Sequence, residues 1–454
     1  MRYLPHTQQD IEEMLRKIDA PSIDALFEPI PIELRLGRPL ALEPALDEVG
    51  LMRHLGDLAA SNRASGMLSF LGAGIYDHHI PPAVDQLLLR GELYTAYTPY
   101  QAEVAQGTLQ AIFEFQTIVS EILGQPVANA SMYDGASATA EAALMARRLT
   151  RRNRIIVCEG VHPEYIATIE TYLSGLEDGR GAVVRAKVGP DGTTSPASVD
   201  ALLDQNTAAV VVGYPNFFGC AGDIAALADR VHAAGALLVT ATQDPYALAL
   251  LEPPGQLGAD ISVAEGQALA TPPSFGGPGV GLFACREDRK YLQEIPGRLC
   301  GETVDANGQR GYVLTLSTRE QHIRRERATS NICSNQALIA LSLTIRTSLL
   351  GKSGFIDAAR LCLSKSEYLR GRIAKLPGYA LAYPNTPTFN ESLVRVRGGN
   401  AQALCDRLAR DGILAGVPLS RYYPERPAEM LVAVTEKHTR EDLDRFVDAL
   451  ASVS

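Results

Sequence analysis

Residues 208–242 read AAVVVGYPNFFGCAGDIAALADRVHAAGALLVTAT, and this stretch decides the fold. Two apolar, β-branched runs flank a helical stretch that Asp223 is placed to cap at its start and Gly235 to end. Strand, helix and strand in that order form a parallel crossover unit, whose strands are buried on both faces and so read as unbroken apolar runs. Working outward, IIVCEG at 155–160, AVVRAK at 182–187 and VGLFAC at 280–285 repeat the strand pattern, with helical stretches among them. Residues 61–330 are therefore predicted as one large α/β domain, a mostly parallel sheet with helices on both faces.

The flanks read differently. Beyond residue 335 a helical stretch, QALIALSLTIRTSLL, leads to a strand-like LVRVRGG, the helix AQALCDRLARDGI, the strand EMLVAVTE and a helix capped near Thr439. That order predicts a small C-terminal α+β domain over 331–454. Residues 1–60 read as an arm. Thr7 can cap a helix through IEEMLRKI and Ser22 a short one through IDALF, while the prolines of FEPIPIEL suit an extended crossing. Such an arm holds too little apolar surface to fold alone, so it is expected to wrap around the main body or a second subunit.

Composition sets limits on function. The chain has 454 residues and a net charge of −10, which argues against nucleic acid or a membrane surface as a partner. No apolar run approaches the roughly 18 residues of a membrane span, and the polar N-terminus lacks the pattern of a signal peptide, so a cytoplasmic protein is predicted. The seven cysteines are scattered without a close pair, which supports neither a disulfide framework nor a metal knuckle. Adjacent His78 and His79 point in opposite directions on an extended chain, so a two-histidine metal site is not expected either.

Four stretches could carry chemistry. Asp134-Gly135-Ala136-Ser137 opens an alanine-rich helix and reads either as an ordinary helix start or as a cradle of N–H groups for a phosphate or carboxylate. PPSFGGPG at 272–279 is a glycine-proline turn before a strand, and it lacks both a dinucleotide fingerprint and a Walker lysine. YTAYTPYQAEVAQ groups Tyr94, Tyr97 and Tyr100, which can line a polar cavity or pack at a subunit contact. Residues 296–331 concentrate Arg298, Arg310, Arg319, Arg324, Arg325, Arg327 and His322 ahead of the polar run Thr329-Ser330-Asn331. That concentration reads as a solvated basic face, or as forks for the carboxylates or phosphates of a partner chain.

Taken together, YTPYQAEVAQGTLQ, NASMYDGASATAEA, VHPEY, PNFFG, PPSFGGPG, RGYVLTLSTREQHIRRERATSNIC and NQAL resemble subunit 1 of glycine dehydrogenase (decarboxylating), the split form of the glycine cleavage system P-protein. The resemblance implies fold type I of the pyridoxal-phosphate (PLP) enzymes. It also implies a reaction that decarboxylates glycine and passes the aminomethyl group to the lipoyl arm of the H-protein, with T-protein and L-protein completing the system. In the PLP-bearing subunit of that family a lysine stands eleven residues before the proline of the GGPG-type turn; counted back from Pro278, that position here is Gln267. An amide nitrogen is not nucleophilic and forms no imine. None of the seven lysines, Lys17, Lys187, Lys290, Lys352, Lys365, Lys375 and Lys437, lies where it could substitute. Asp244 falls near the place of a pyridinium partner. The resemblance thus implies a chain with no catalytic residue and no covalent cofactor of its own, paired two-and-two with a PLP-bearing subunit 2, whose cofactor phosphate Thr329, Ser330 and Asn331 are placed to approach. Two other readings stay open: a structural or regulatory partner without effect on turnover, and an independent PLP enzyme, which Gln267 contradicts.

Overall fold

The computed structural model describes residues 5–176, 178–316 and 319–453. They form two units, one up to Ser65 and one from Gly66.

In the first unit, Thr7 caps the helix Gln8–Lys17 in a reciprocal box, its hydroxyl accepting from the Asp10 N–H while the Asp10 carboxylate accepts the Thr7 N–H. The Ser22 hydroxyl accepts the Ala25 N–H and starts one 3-10 turn, Asp24–Phe27. The crossing read in FEPIPIEL contains a second such turn, Ile32–Leu34, which Pro31 precedes. A helix that the sequence reading passed over, Glu48–Ala60, starts at Asp47; its two glycines weaken the helical signal. None of the described residues 5–65 is buried, and Leu26, Phe27, Leu34, Leu42 and Met52 are among its exposed apolar side chains.

The second unit is built on a seven-stranded sheet: β1 Val127–Ala128, β2 Arg154–Cys158, β3 Val183–Ala186, β4 Thr207–Gly213, β5 Leu237–Thr242, β6 Ile261–Glu265 and β7 Gly281–Cys285. Their spatial order is β1-β7-β6-β5-β4-β2-β3. Strands β2 to β6 run parallel, and β7 is antiparallel to both its neighbours. Alternation along β4 sends Val210 and Val212 into one core with the helices Gln106–Leu123 and Ile224–Ala233, and Ala209 and Val211 into the other with Gly135–Thr150 and Pro163–Ser174. The alanines of Gly135–Thr150 let that helix lie close against the sheet; Ala138, Ala142, Ala143 and Ala146 are wholly buried.

Toward the C-terminus, Tyr379–Leu381, Glu391–Val396, Glu429–Ala433 and Val417–Pro418 form an antiparallel sheet in that spatial order, with the helices Ala401–Arg410 and Arg440–Ala451. The helical stretch Ala337–Ile373 that leads into this lobe is interrupted at Gly351, whose φ is +64°. Leu68–Ser69 pairs with Ile413–Leu414, so a segment that the sequence reading placed in the large domain runs along the C-terminal lobe. The parallel strands β4, β5 and β6 all end at one edge, where loops of an α/β sheet form sites.

With no buried residue among the described residues 5–65 to offset its ordering entropy, a peptide of residues 1–65 is expected to give a far-UV circular dichroism spectrum dominated by coil. A cooperative thermal transition of that peptide would contradict this.

Candidate functional site

At the sheet edge β6 ends in Glu265, a fully buried carboxylate. Its Oε2 accepts the Gly135 N–H at 2.8 Å, and its Oε1 accepts the N–H groups of Gln267 at 2.9 Å and Val280 at 3.1 Å. Asp134 and Ser137 close the start of the helix Gly135–Thr150 on each other, the Ser137 N–H donating to Asp134 at 2.7 Å. The cradle read in the sequence therefore exists, and it holds the chain's own carboxylate. A side chain at 135 is excluded, since a Cβ there would lie 2.4 Å from the Tyr165 hydroxyl oxygen. Burial pushes the Glu265 carboxyl up to about 7, against the pull of its three donors.

Gln267 follows two residues later, buried in the one-turn helix Gln267–Ala270. Its amide oxygen accepts the Tyr76 N–H at 3.3 Å, and its amide nitrogen donates to the Thr271 carbonyl. The segment 72–76 is held on its other sides as well. His162 takes the Glu164 N–H on Nδ1, which leaves its proton on Nε2 to donate to the Ala73 carbonyl at 2.9 Å. Glu391 accepts the Ala73 N–H at 2.7 Å and the Tyr76 hydroxyl at 2.9 Å. Gly74, at φ +97°, passes so near the His162 ring that a Cβ would stand 3.1 Å from it. Burial pushes Glu391 up to about 7.

Between these groups remains a cavity of about 20 Å³ bordered by Tyr76, Asn216, Gln243, Asp244, Asn390 and Glu391, with no lysine among its lining residues. Cofactor pockets are typically some 300–1,000 Å³. The residues present do not fit PLP. No amine faces the cavity, the N–H cradle is filled by Glu265, and backbone from Ala73 to Tyr76 occupies the space that His162, Gln243 and Gln267 enclose.

Asp244 is likewise committed within the chain. One oxygen accepts from the His78 Nε2 at 3.0 Å and the Asn390 amide at 2.7 Å, the other from the Tyr246 N–H at 3.0 Å. The opposite ring nitrogen of His78 lies 2.7 Å from Glu436, and the Tyr246 ring stacks on His78 with centroids 4.3 Å apart. Burial works against a charged His78, but two carboxylates outweigh it and hold the imidazolium well above its usual range. Burial also opposes ionisation of Glu436, yet its bond to His78 brings it down to about 2. His78, Cys362 and Glu436 each offer a donor atom within 4.8 Å of the others, a cluster that the scattered cysteines did not suggest. The His79 ring takes no part; its backbone N–H donates to Glu436 at 2.8 Å.

The polar run after the arginines lies elsewhere. Thr329, Ser330 and Asn331 border an open cleft with Glu141, Arg147, Arg148 and Arg151. The Ser330 hydroxyl donates to Glu141 at 2.7 Å, so its proton is used within the chain. The arginine cluster divides. Arg298 is buried against Glu320 at 3.1 Å and Arg319 donates to the carbonyls of Ile295 and Gly297, whereas Arg310 and Arg327 are exposed. Tyr94, Tyr97 and Tyr100 are exposed too, and the Arg298 guanidinium sits over the Tyr100 ring. Glu265, Glu391, Glu436 and His78 escaped sequence reasoning as a set. His78 was weighed only as half of a histidine pair, and Glu265 left a trace as an acid closing an otherwise apolar strand.

A family model described as "Glycine cleavage system P-protein" matches residues 1–450. The chain is 63% identical over 451 residues to a "Probable glycine dehydrogenase (decarboxylating) subunit 1" of Sorangium cellulosum, covering 99% of each chain. It is also similar to a crystal structure of "glycine decarboxylase (P-protein) of the glycine cleavage system, in inhibitor-bound form", with a TM-score of 0.89, 41% identity and full coverage of both chains. A sphingosine-1-phosphate lyase of Burkholderia pseudomallei, at 16% identity and a TM-score of 0.66 over 93% of this chain and 94% of its own, shares the fold.

The His78 triad sets the sign of a pH dependence. A raised folded-state pKa contributes stability that is complete below about 6.5 and is lost as pH rises through the folded value. Glu436, depressed to about 2, contributes stability above about 4.5 that is lost in acid. His78→Gln is expected to cost about 3–5 kcal/mol near neutral pH by leaving buried carboxylates unpaired. Urea unfolding across a pH series should show the wild-type advantage shrinking on the alkaline side; an advantage that grows there would refute the assignment.

Proposed function

The chain belongs to the glycine cleavage system P-protein family, in the subunit 1 group of glycine dehydrogenase (decarboxylating), and from that premise we propose that it is the subunit of a two-chain glycine decarboxylase that holds no PLP covalently. The observation that carries this reading is Gln267, a buried amide bonded at both ends to backbone where an aldimine needs a free amine. PLP then belongs to subunit 2, two of each chain assemble, and the pair decarboxylates glycine and hands the aminomethyl group to the lipoyl arm of the H-protein. T-protein and L-protein act only downstream, and the complex works in the cytoplasm. Alone, this chain is inactive.

The contact with subunit 2 is supported by the first unit, whose apolar side chains find no cover within it. The role read for the polar run narrows. With the Ser330 proton donated to Glu141, approach to the partner's cofactor phosphate falls to Thr329 and Asn331.

Glycine–bicarbonate exchange tests the assignment. Activity is expected from the two subunits together and from neither alone, and borohydride should fix a pyridoxyl group on subunit 2 only. Exchange by subunit 2 alone equal to that of the pair would instead make this chain a structural partner. Deleting residues 1–65 should weaken co-purification with subunit 2 at least about tenfold. Thr329→Ala should speed PLP loss from the assembled pair; unchanged retention removes the phosphate contact from the model of the interface.

A further inference from the structure

We propose that the edge of the large sheet keeps a latent phosphate site that the chain itself holds closed, with the Glu265 carboxylate seated where a phosphate would bind and the segment Ala73–Tyr76 filling the space beside it. This rests on the reading that the chain carries no coenzyme, and it adds why restoring one lysine is not enough to bring the coenzyme back.

The argument begins with the donors. Three N–H groups converge on Glu265 from three separate segments, the start of the helix Gly135–Thr150, the turn after β6, and the residue before β7. Convergent N–H groups at a helix start are the common protein answer to a phosphate. Each would be a buried donor without a partner if the carboxylate left, and the carboxylate would be a buried charge without partners if they left. Occupant and cradle are therefore mutually required. Beside the cradle, the plug is pinned by three side chains from separate segments: Gln267, His162 and Glu391. It cannot carry larger residues at 72 or 74. A Cβ on Gly72 would meet a Glu391 oxygen at 2.2 Å and the Ala433 side chain at 2.6 Å, and one on Gly74 would press on the His162 ring. The ligand class that fits the cradle once Glu265 is withdrawn is a phosphate monoester or inorganic phosphate.

The full-length chain as wild type, Glu265→Ala and Glu265→Gln tests this by thermal unfolding in inorganic phosphate against chloride of matched ionic strength. Phosphate should raise the midpoint of Glu265→Ala by at least about 3 °C and leave the other two unmoved, because the glutamine keeps the volume filled. Should Glu265→Ala fail to stay folded in chloride, its recovery in phosphate is the same readout, and failure in both buffers overturns the proposal, as does an equal response of all three proteins. A second arm treats wild type, Gln267→Lys and Gln267→Lys/Glu265→Ala with PLP and borohydride and counts pyridoxyl adducts by mass. The double variant is expected to be labelled at least fivefold more than Gln267→Lys. Equal labelling of single and double variants sinks the plug while leaving the functional reading intact; labelling of the wild type sinks the functional reading itself.

Discussion

A single buried carboxylate ties together three segments at the edge of the large sheet. Glu265 accepts N–H groups from a helix start, a turn and the residue before a strand. In a low-dielectric interior neither the acid nor its three donors can be left alone, so the geometry of the whole sheet edge follows from their mutual satisfaction. The glycines around it, Gly135 above all, are there because the acid and the Tyr165 hydroxyl leave no room for a side chain.

The same logic extends to the C-terminal lobe. Glu391 and Glu436 reach from that lobe to the segment 73–79, one accepting from Ala73 and Tyr76, the other from His78 and His79. Asp77 adds an exposed pair with Lys437 and a backbone bond to Thr435. An exposed pair of that kind contributes little, whereas the buried imidazolium between two carboxylates is costly to break. The strap at 68–79 is thus tied to the small lobe by a sheet register and by charge, and to the large sheet by the amide of Gln267. The fold type I architecture is kept, and among these ties only a cavity of about 20 Å³ remains.

Family membership and site geometry bear on different questions. The P-protein relatives match the chain from end to end, which establishes the lineage and the fold. The site itself holds a buried amide at 267, a carboxylate among three N–H groups, and a residual cavity of about 20 Å³.

How much could be read beforehand depended on the range of each interaction. The crossover unit at 208–242 and the caps at Thr7, Asp223 and Thr439 were legible because strand and helix periods and caps are local. The helix Glu48–Ala60 was missed because two glycines blur its period. The bond between Asp244 and His78 spans 166 residues, beyond the reach of any local pattern. Glu265 and Gly135 are 130 residues apart, and Ala73 and Glu391 are 318 apart. The sequence alone determined the fold class, a property of short windows, and placed Gln267 two residues after the strand that ends in Glu265. Only the tertiary structure decided what fills the site, because burial and convergence of groups from distant segments set both the pairing and the protonation of its acids.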